Sequence, residues 1–317
     1  MVCRALRARI DRPGADGGLA AKTVAQYLKT IARYLERAGV DANHIEKHAK
    51  TNRVLKRGAR DDAGMTPKNR RFCGCLLERQ DLQVTFLGGH LVVRRAAEKI
   101  LAQGKTAGRA LTGREVGKVR ALGAVAVFMA IEVGGAPLRV ENALEMPLYG
   151  DGAWITLPRK AGGPIKFCIP YEYTKNGKAR VQESGEPIQF SMRAKTRLEA
   201  YETVMWYIKY IRPLFRDHKT NMHLFPSVSG GADELAYETF LRWYKRNTRD
   251  IVGLPMTPHQ QRHGQASLLL NKYPDKELII ARRLGNSPAA MGRYYGWVHK
   301  AKAMALGQQM MVELCDA

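Results

Sequence analysis

Residues 115–135 read EVGKVRALGAVAVFMAIEVGG, and this stretch sets the architecture. From Ala121 to Ile131 it carries no charge and no proline. A helix this apolar cannot lie on the surface, so it is expected to be the buried spine of a domain. It runs into GGAPLRVENAL at 134–144, a Gly-Gly-Ala-Pro turn that sets Arg139 at the start of a further helix. Beyond it the pattern changes to short β-prone runs: AWITL at 153–157, FCIPY at 167–171 and, after a polar turn, IQFS at 188–191. Helical pattern resumes over 195–214 and continues, broken by loops, to the end. The expected fold class is therefore mainly α with a small antiparallel β-sheet.

Upstream, residues 1–19 are Gly- and Arg-rich and are expected to be an irregular lead. KTVAQYLKTIARYLERAG at 22–39 predicts a helix with Thr23 as N-cap and Gly39 as stop. Val24, Tyr27, Leu28, Ile31, Tyr34, Leu35 and Ala38 form its apolar face, and Lys22, Lys29, Arg33 and Arg37 the opposite one. Helical pattern recurs near 69–80 and 91–103. The expected organisation is a basic helical domain over 20–105, a glycine-punctuated linker over 106–113, and a mixed α/β domain with a C-terminal helix over 114–317.

At 317 residues and 45% hydrophobic content there is material for two cores. The formal charge of +23 points to nucleic acid as partner. Residues 1–110 hold 23 Lys and Arg against 10 Asp and Glu, and residues 111–317 hold 29 against 19, so the first third is the more basic per residue. No run approaches the roughly 20 apolar residues of a membrane span, and MVCRALRARIDRPG at the start has no signal-peptide core. Cys73-Gly-Cys75 is too tight for usual zinc spacing, and the other cysteines (Cys3, Cys168, Cys315) are scattered. A reducing cytoplasm is the expected setting, with neither metal nor cofactor.

Two segments carry the chemistry: TPHQQRH at 257–263, with His259 and Arg262, and LGNSPAAMGRYYGW at 284–297, with Tyr295. With Arg139 these supply what phosphodiester cleavage without a metal demands. Arginine forks bind two phosphate oxygens and keep their charge. Histidine takes or gives a proton near neutrality, and tyrosine supplies a nucleophilic oxygen.

In these motifs the chain resembles the tyrosine recombinase (phage integrase) family. PLRVENAL resembles its first arginine motif, TPHQQRHGQA its HxxRH motif, and LGNSPAAMGRYYGW the segment ending in the nucleophile. KTVAQYLKTIARYLERAG is similar to its N-terminal core-binding domain, so the likeness spans about 20–310. It implies a site-specific recombinase or integrase that binds a specific site on double-stranded DNA, clamps it between two domains and forms a 3′-phosphotyrosyl intermediate. Four protomers would exchange strands through a Holliday junction, held partly by a C-terminal helix, here with Met304, Met310, Met311 and Leu314. Arg139, His259 and Arg262 match the motifs directly. Tyr295, nine residues beyond Asn286, matches the nucleophile, with Tyr294 as the adjacent alternative. The family's hairpin lysine, a general acid, would be Lys175, with Lys160 next and Lys166 and Lys178 further candidates.

The chain departs from the family twice. Asn286 stands where His or Trp usually follows Leu-Gly; it can donate a hydrogen bond to phosphate but never carries charge. Asn142 stands where an acid usually lies three residues after the first arginine, with Glu141 beside it. His263 is either a helper of the site or a packed histidine. Two other outcomes stay open: a type IB topoisomerase or telomere resolvase with the same covalent chemistry, or a DNA-binding module on a decayed scaffold.

Overall fold

The computed structural model describes residues 2–10, 12, 16–56, 64–160, 162–174 and 185–315. The chain is mainly helical with one three-stranded antiparallel sheet. It divides into two compact units, Met1–Arg70 with Ala289–Ala317, and Arg71–Pro288.

The first unit begins with α1 (Val2–Arg7), α2 (Ala21–Arg37) and α3 (Asn43–Thr51). The lead expected to be irregular thus contains a helix, and Cys3, Leu6 and Ile10 pack against the core formed by Val24, Leu28, Ala32, Ala42, Ile45 and Leu55. Helix α2 starts at Ala21, two residues before the expected cap, with no side-chain cap bond. It ends as expected: Gly39 takes φ +72, Gly39 N–H donates to Glu36 O, and Val40 N–H to Leu35 O. These are the paired bonds of a left-handed helix stop. Tyr27 and Tyr34, assigned to the apolar face, are 47% and 74% exposed. At 100° per residue they fall about 60° and 80° to one side of Val24, while Leu28 and Ala32 fall to the other.

The second unit contains most of α4 (Pro67–Glu78), then α5 (Gln80–Thr106), α6 (Gly113–Gly134) and α7 (Val140–Leu144). Helix α6 is the spine. Thr112 accepts from Glu115 N–H while the Glu115 carboxylate accepts from Thr112 N–H at 2.8 Å, a reciprocal cap that starts the helix. From Ala121 to Val133 every side is buried, with α5, α8, α9 and α10 (defined below) packed around it. Phe128 meets the rings of Phe240 and Tyr244 at 4.9 and 5.8 Å. Burying one such side chain contributes roughly 1.5–3 kcal/mol, and this density of them makes the unit.

Helix α5 was expected in the first domain, ahead of a linker at 106–113. Instead Phe86, Gly89, His90, Val93 and Ala97 are buried along it, and it is part of the second unit. The physical reason is close approach: a Cβ at Gly89 would stand 2.6 Å from Met129 Cε of the spine. The packing break falls after Arg70, and residues 107–112 form a largely exposed turn within the second unit.

Strands β1 (Ile155–Thr156), β2 (Ile165–Ile169) and β3 (Ile188–Met192) are antiparallel in that order. Ile165, Phe167 and Ile169 point into the core, and Lys166 and Cys168 point out. Phe167 stacks on its partner Phe190 at 4.5 Å. Strand β2 starts two residues earlier than expected and stops before Pro170, which has no N–H for the ladder.

The helix expected over 195–214 begins late because Lys195 and Glu199 take positive φ. It is α8 (Ala200–Trp206), a π turn (Tyr207–Ile211) and a 3-10 turn (Arg212–Leu214). Then come α9 (Tyr237–Asp250), α10 (Pro258–Lys272), α11 (Glu277–Leu284) and α12 (Pro288–Cys315). Among the described residues no helix is long and apolar enough to cross a membrane.

Candidate functional site

The TPHQQRH segment folds as the first turns of α10. Thr257 accepts from Gln260 N–H at 3.2 Å, Gln260 accepts from Thr257 N–H at 2.9 Å, and Pro258 occupies the first helical position. This cap fixes the helical phase, and three-residue spacing then puts His259 and Arg262 on neighbouring faces. Arg262 is 7% exposed, and its guanidinium donates to Pro137 O, to Leu284 O and, at 3.2 Å, to Asn286 Oδ1. It therefore ties α10 to the turn before Arg139 and to the end of α11.

Arg139 is the N-cap residue of α7, in extended conformation, and its carbonyl accepts from Ala143 N–H. Among the described residues no hydrogen bond or ion pair engages its guanidinium, which lines two clefts of the second unit. One, of about 120 Å³, also meets Arg262, Arg283 and Gly285; the other, of about 340 Å³, meets Arg262, His259 and Lys245. Arg139, His259 and Arg262, taken from distant motifs, thus converge. Asn286 joins them through a backbone device: Gly285 takes φ +59 at the end of α11, and Asn286 N–H closes back onto Ala281 O at 2.9 Å. Two guanidiniums and an imidazole around one surface can hold an oxyanion such as phosphate and exchange a proton with what is bound there.

No family model, no curated protein and no solved structure matches this chain.

The remaining site candidates divide. His259 is exposed and His263, one turn on, is 4% exposed, with ring centroids 4.3 Å apart. Burial, then His259 and Arg262, push the His263 imidazole down to about 3, so it is neutral and packed. Asn142 is buried and donates to Tyr173 O at 2.7 Å, holding the segment after β2. Lys175 and Lys178 lie outside the described residues. Lys160 follows β1 in an exposed turn, and Lys166 points outward from β2 opposite Ser191. Tyr295 belongs to α12 of the first unit and is 1% exposed, and its ring centroid lies 6.3 Å from that of the half-buried Tyr294.

Two features escaped sequence reasoning. Arg283 donates to the carbonyls of Gly135, Glu132 and Val133 and to Gln265 Oε1, capping the spine's C-terminal end from another helix. Its only local signal is a basic residue in a helix's last turn, which is commonplace. Helix α9 exposes Arg242, Lys245, Arg246 and Arg249 on one face, and Lys245 reaches the cleft of Arg139 and His259. Its basic residues are visible in the sequence, but their approach to that cleft is not.

Proposed function

We propose that the chain is a tyrosine-type site-specific DNA recombinase, or integrase. The observation that carries the reading is the convergence of Arg139, His259 and Arg262 on shared clefts, beside the basic face of α9. In this mechanism Arg139 and Arg262 hold the non-bridging oxygens of the scissile phosphate. The Tyr295 oxygen attacks phosphorus as His259 takes its proton, the bond to the 5′-oxygen breaks, and a hairpin lysine, Lys175 or Lys160, protonates that oxygen. The 3′-phosphotyrosyl ester keeps the bond energy, and a 5′-hydroxyl of a partner duplex reverses the step. Asn286 contributes a neutral hydrogen bond at any pH. Four cytoplasmic protomers act on two duplexes through a Holliday junction. The exposed Met304, Met310, Met311 and Leu314 of α12 suit a contact between protomers.

A second reading has one observation in its favour. The Arg262 guanidinium is already bonded to two backbone carbonyls and Asn286, as a structural arginine would be in a DNA-binding protein on a decayed scaffold. Covalent capture in cells separates the two. Wild type, Tyr294→Phe and Tyr295→Phe are denatured rapidly, and any DNA still attached is sequenced. Recovery from wild type and Tyr294→Phe but not Tyr295→Phe is expected. DNA bound by all three variants and attached to none favours the decayed scaffold. Relaxation of plasmids lacking a specific site would assign the same chemistry to a type IB topoisomerase.

A further inference from the structure

We propose that Lys245 holds the DNA phosphate next to the scissile one, which makes the α9 wall of the His259 cleft a second phosphate subsite. Of the charged residues lining the two neighbouring clefts of the second unit, Lys245 belongs to both. It lines the cleft of about 340 Å³ with Arg139, His259 and Arg262, and the groove of about 460 Å³ with Arg242, Arg246 and Arg249.

The packing of α9 on the start of α10 sets its position. Buried Tyr244 donates from its hydroxyl to Gln261 Oε1, and buried Thr248 donates from its hydroxyl to Met256 O at 3.1 Å. These bonds hold the residues one before and three after Lys245 against the segment that carries Thr257, Pro258 and His259. Lys245, about 100° further round the helix than Tyr244, comes out exposed at the edge of the cleft.

Charge is divided along the same wall. Tyr237 and Lys245 stand two turns apart, about 12 Å along α9. Acids gather at the Tyr237 end, where burial, then Glu141 and Glu238, push its hydroxyl above the usual range. Further along, the Arg249 guanidinium is engaged by Asp250 at 2.6 Å. Between them, among the described residues, no hydrogen bond or ion pair engages the Lys245 ammonium.

Arg139 and Arg262 already offer two forks to the non-bridging oxygens of the scissile phosphate. A DNA strand carries one charge per nucleotide, so a phosphate held there brings the next one along the cleft wall. Lysine is a point charge on a flexible stem, suited to a backbone contact that fixes register without reading sequence.

The scissile phosphate is defined by the recombinase reading, on which this subsite rests, and two experiments keep the claims apart. Duplexes carrying the captured site are made with one neutral methylphosphonate at each phosphate in turn. Their binding is measured with Tyr295→Phe and with the same protein carrying Lys245→Gln as well. With Tyr295→Phe, a neutral linkage adjacent to the scissile phosphate should weaken binding about tenfold, as for a lost charge-assisted bond. With Lys245→Gln added, that linkage should cost nothing further, while linkages elsewhere cost both proteins alike. Sensitivity lost at no linkage, or at the scissile one alone, would overturn the proposal.

The other experiment needs no specific site. Wild type is acetylated with limiting N-hydroxysuccinimidyl acetate, with and without a saturating duplex of unrelated sequence at low salt, and each lysine is read by mass spectrometry. Lys245 should be protected by the duplex, and undiminished reactivity would overturn the proposal. Protection of Lys245 in a chain that attaches covalently to no DNA would sink the recombinase reading and leave Lys245 as a backbone-phosphate site.

Discussion

His259 and His263 are one turn apart on the same helix and differ because one is buried. The His263 imidazole, pushed down to about 3 by burial, stays neutral in the folded protein where the unfolded chain takes up a proton near 6.5. Stability is therefore complete above that value and is lost as pH falls from about 6.5 towards 3, at no more than about 1.4 kcal/mol per pH unit. His90, buried with its ring nitrogen 2.5 Å from Leu198 O, is shifted the same way. Urea unfolding at pH 7 and pH 4.5 should show the loss in wild type and a smaller one in His263→Asn. An equal loss in both would assign the effect to His90 or to other groups. The same contrast of exposure separates the arginines: Arg262 is latched to two chain segments, while Arg139 faces its clefts unlatched.

At the scale of elements, the spine is a helix whose two halves meet different surroundings. Gly117 has nothing within 4 Å of the position a Cβ would take, whereas a Cβ at Gly123 would fall 2.4 Å from Ile211 Cγ2 in the π turn after α8. Gly117→Ala should stabilise the protein by roughly 0.5–1 kcal/mol through helix propensity. Gly123→Ala should destabilise it by about 1–3 kcal/mol, because the spine and that turn must separate. Chemical denaturation of the two variants checks both signs, and destabilisation by Gly117→Ala would mean the helix start is packed in solution. Glycine at 123 thus permits close approach of two elements, while the capping pairs Thr112–Glu115 and Thr257–Gln260 set where the two central helices begin.

For the whole molecule, a formal charge of +23 makes long-range attraction to polyanions strong and salt-sensitive. The exposed face of α9 concentrates part of it beside the clefts. Binding to duplex DNA should weaken linearly on a log–log plot as salt rises. Neutralising Arg242 and Arg246 together should reduce the slope by roughly 1 for each phosphate that then keeps its counterion. Anisotropy titrations across a salt series read this directly. An unchanged slope would mean that α9 faces away from the duplex.

What the amino-acid sequence determined alone is what local interactions decide. The uncharged run 121–131 could only be a buried helix, and the β-prone residues Phe167 and Ile169 supplied part of the inward face of β2. The convergence of arginines and a histidine could be anticipated from motif order, though not its geometry. The tertiary structure decided the rest because it depends on packing between residues far apart in the chain. Helix α5 joined the second unit because glycine at 89 lets it approach the spine. Tyr27 and Tyr34 came out exposed because α3 and the N-terminal segment cover the other side of α2. Arg283 capped a helix about 150 residues upstream of it, a distance no local pattern encodes. Glu132 reads in the sequence as one acid at the end of an apolar helix. Only folding buries it completely.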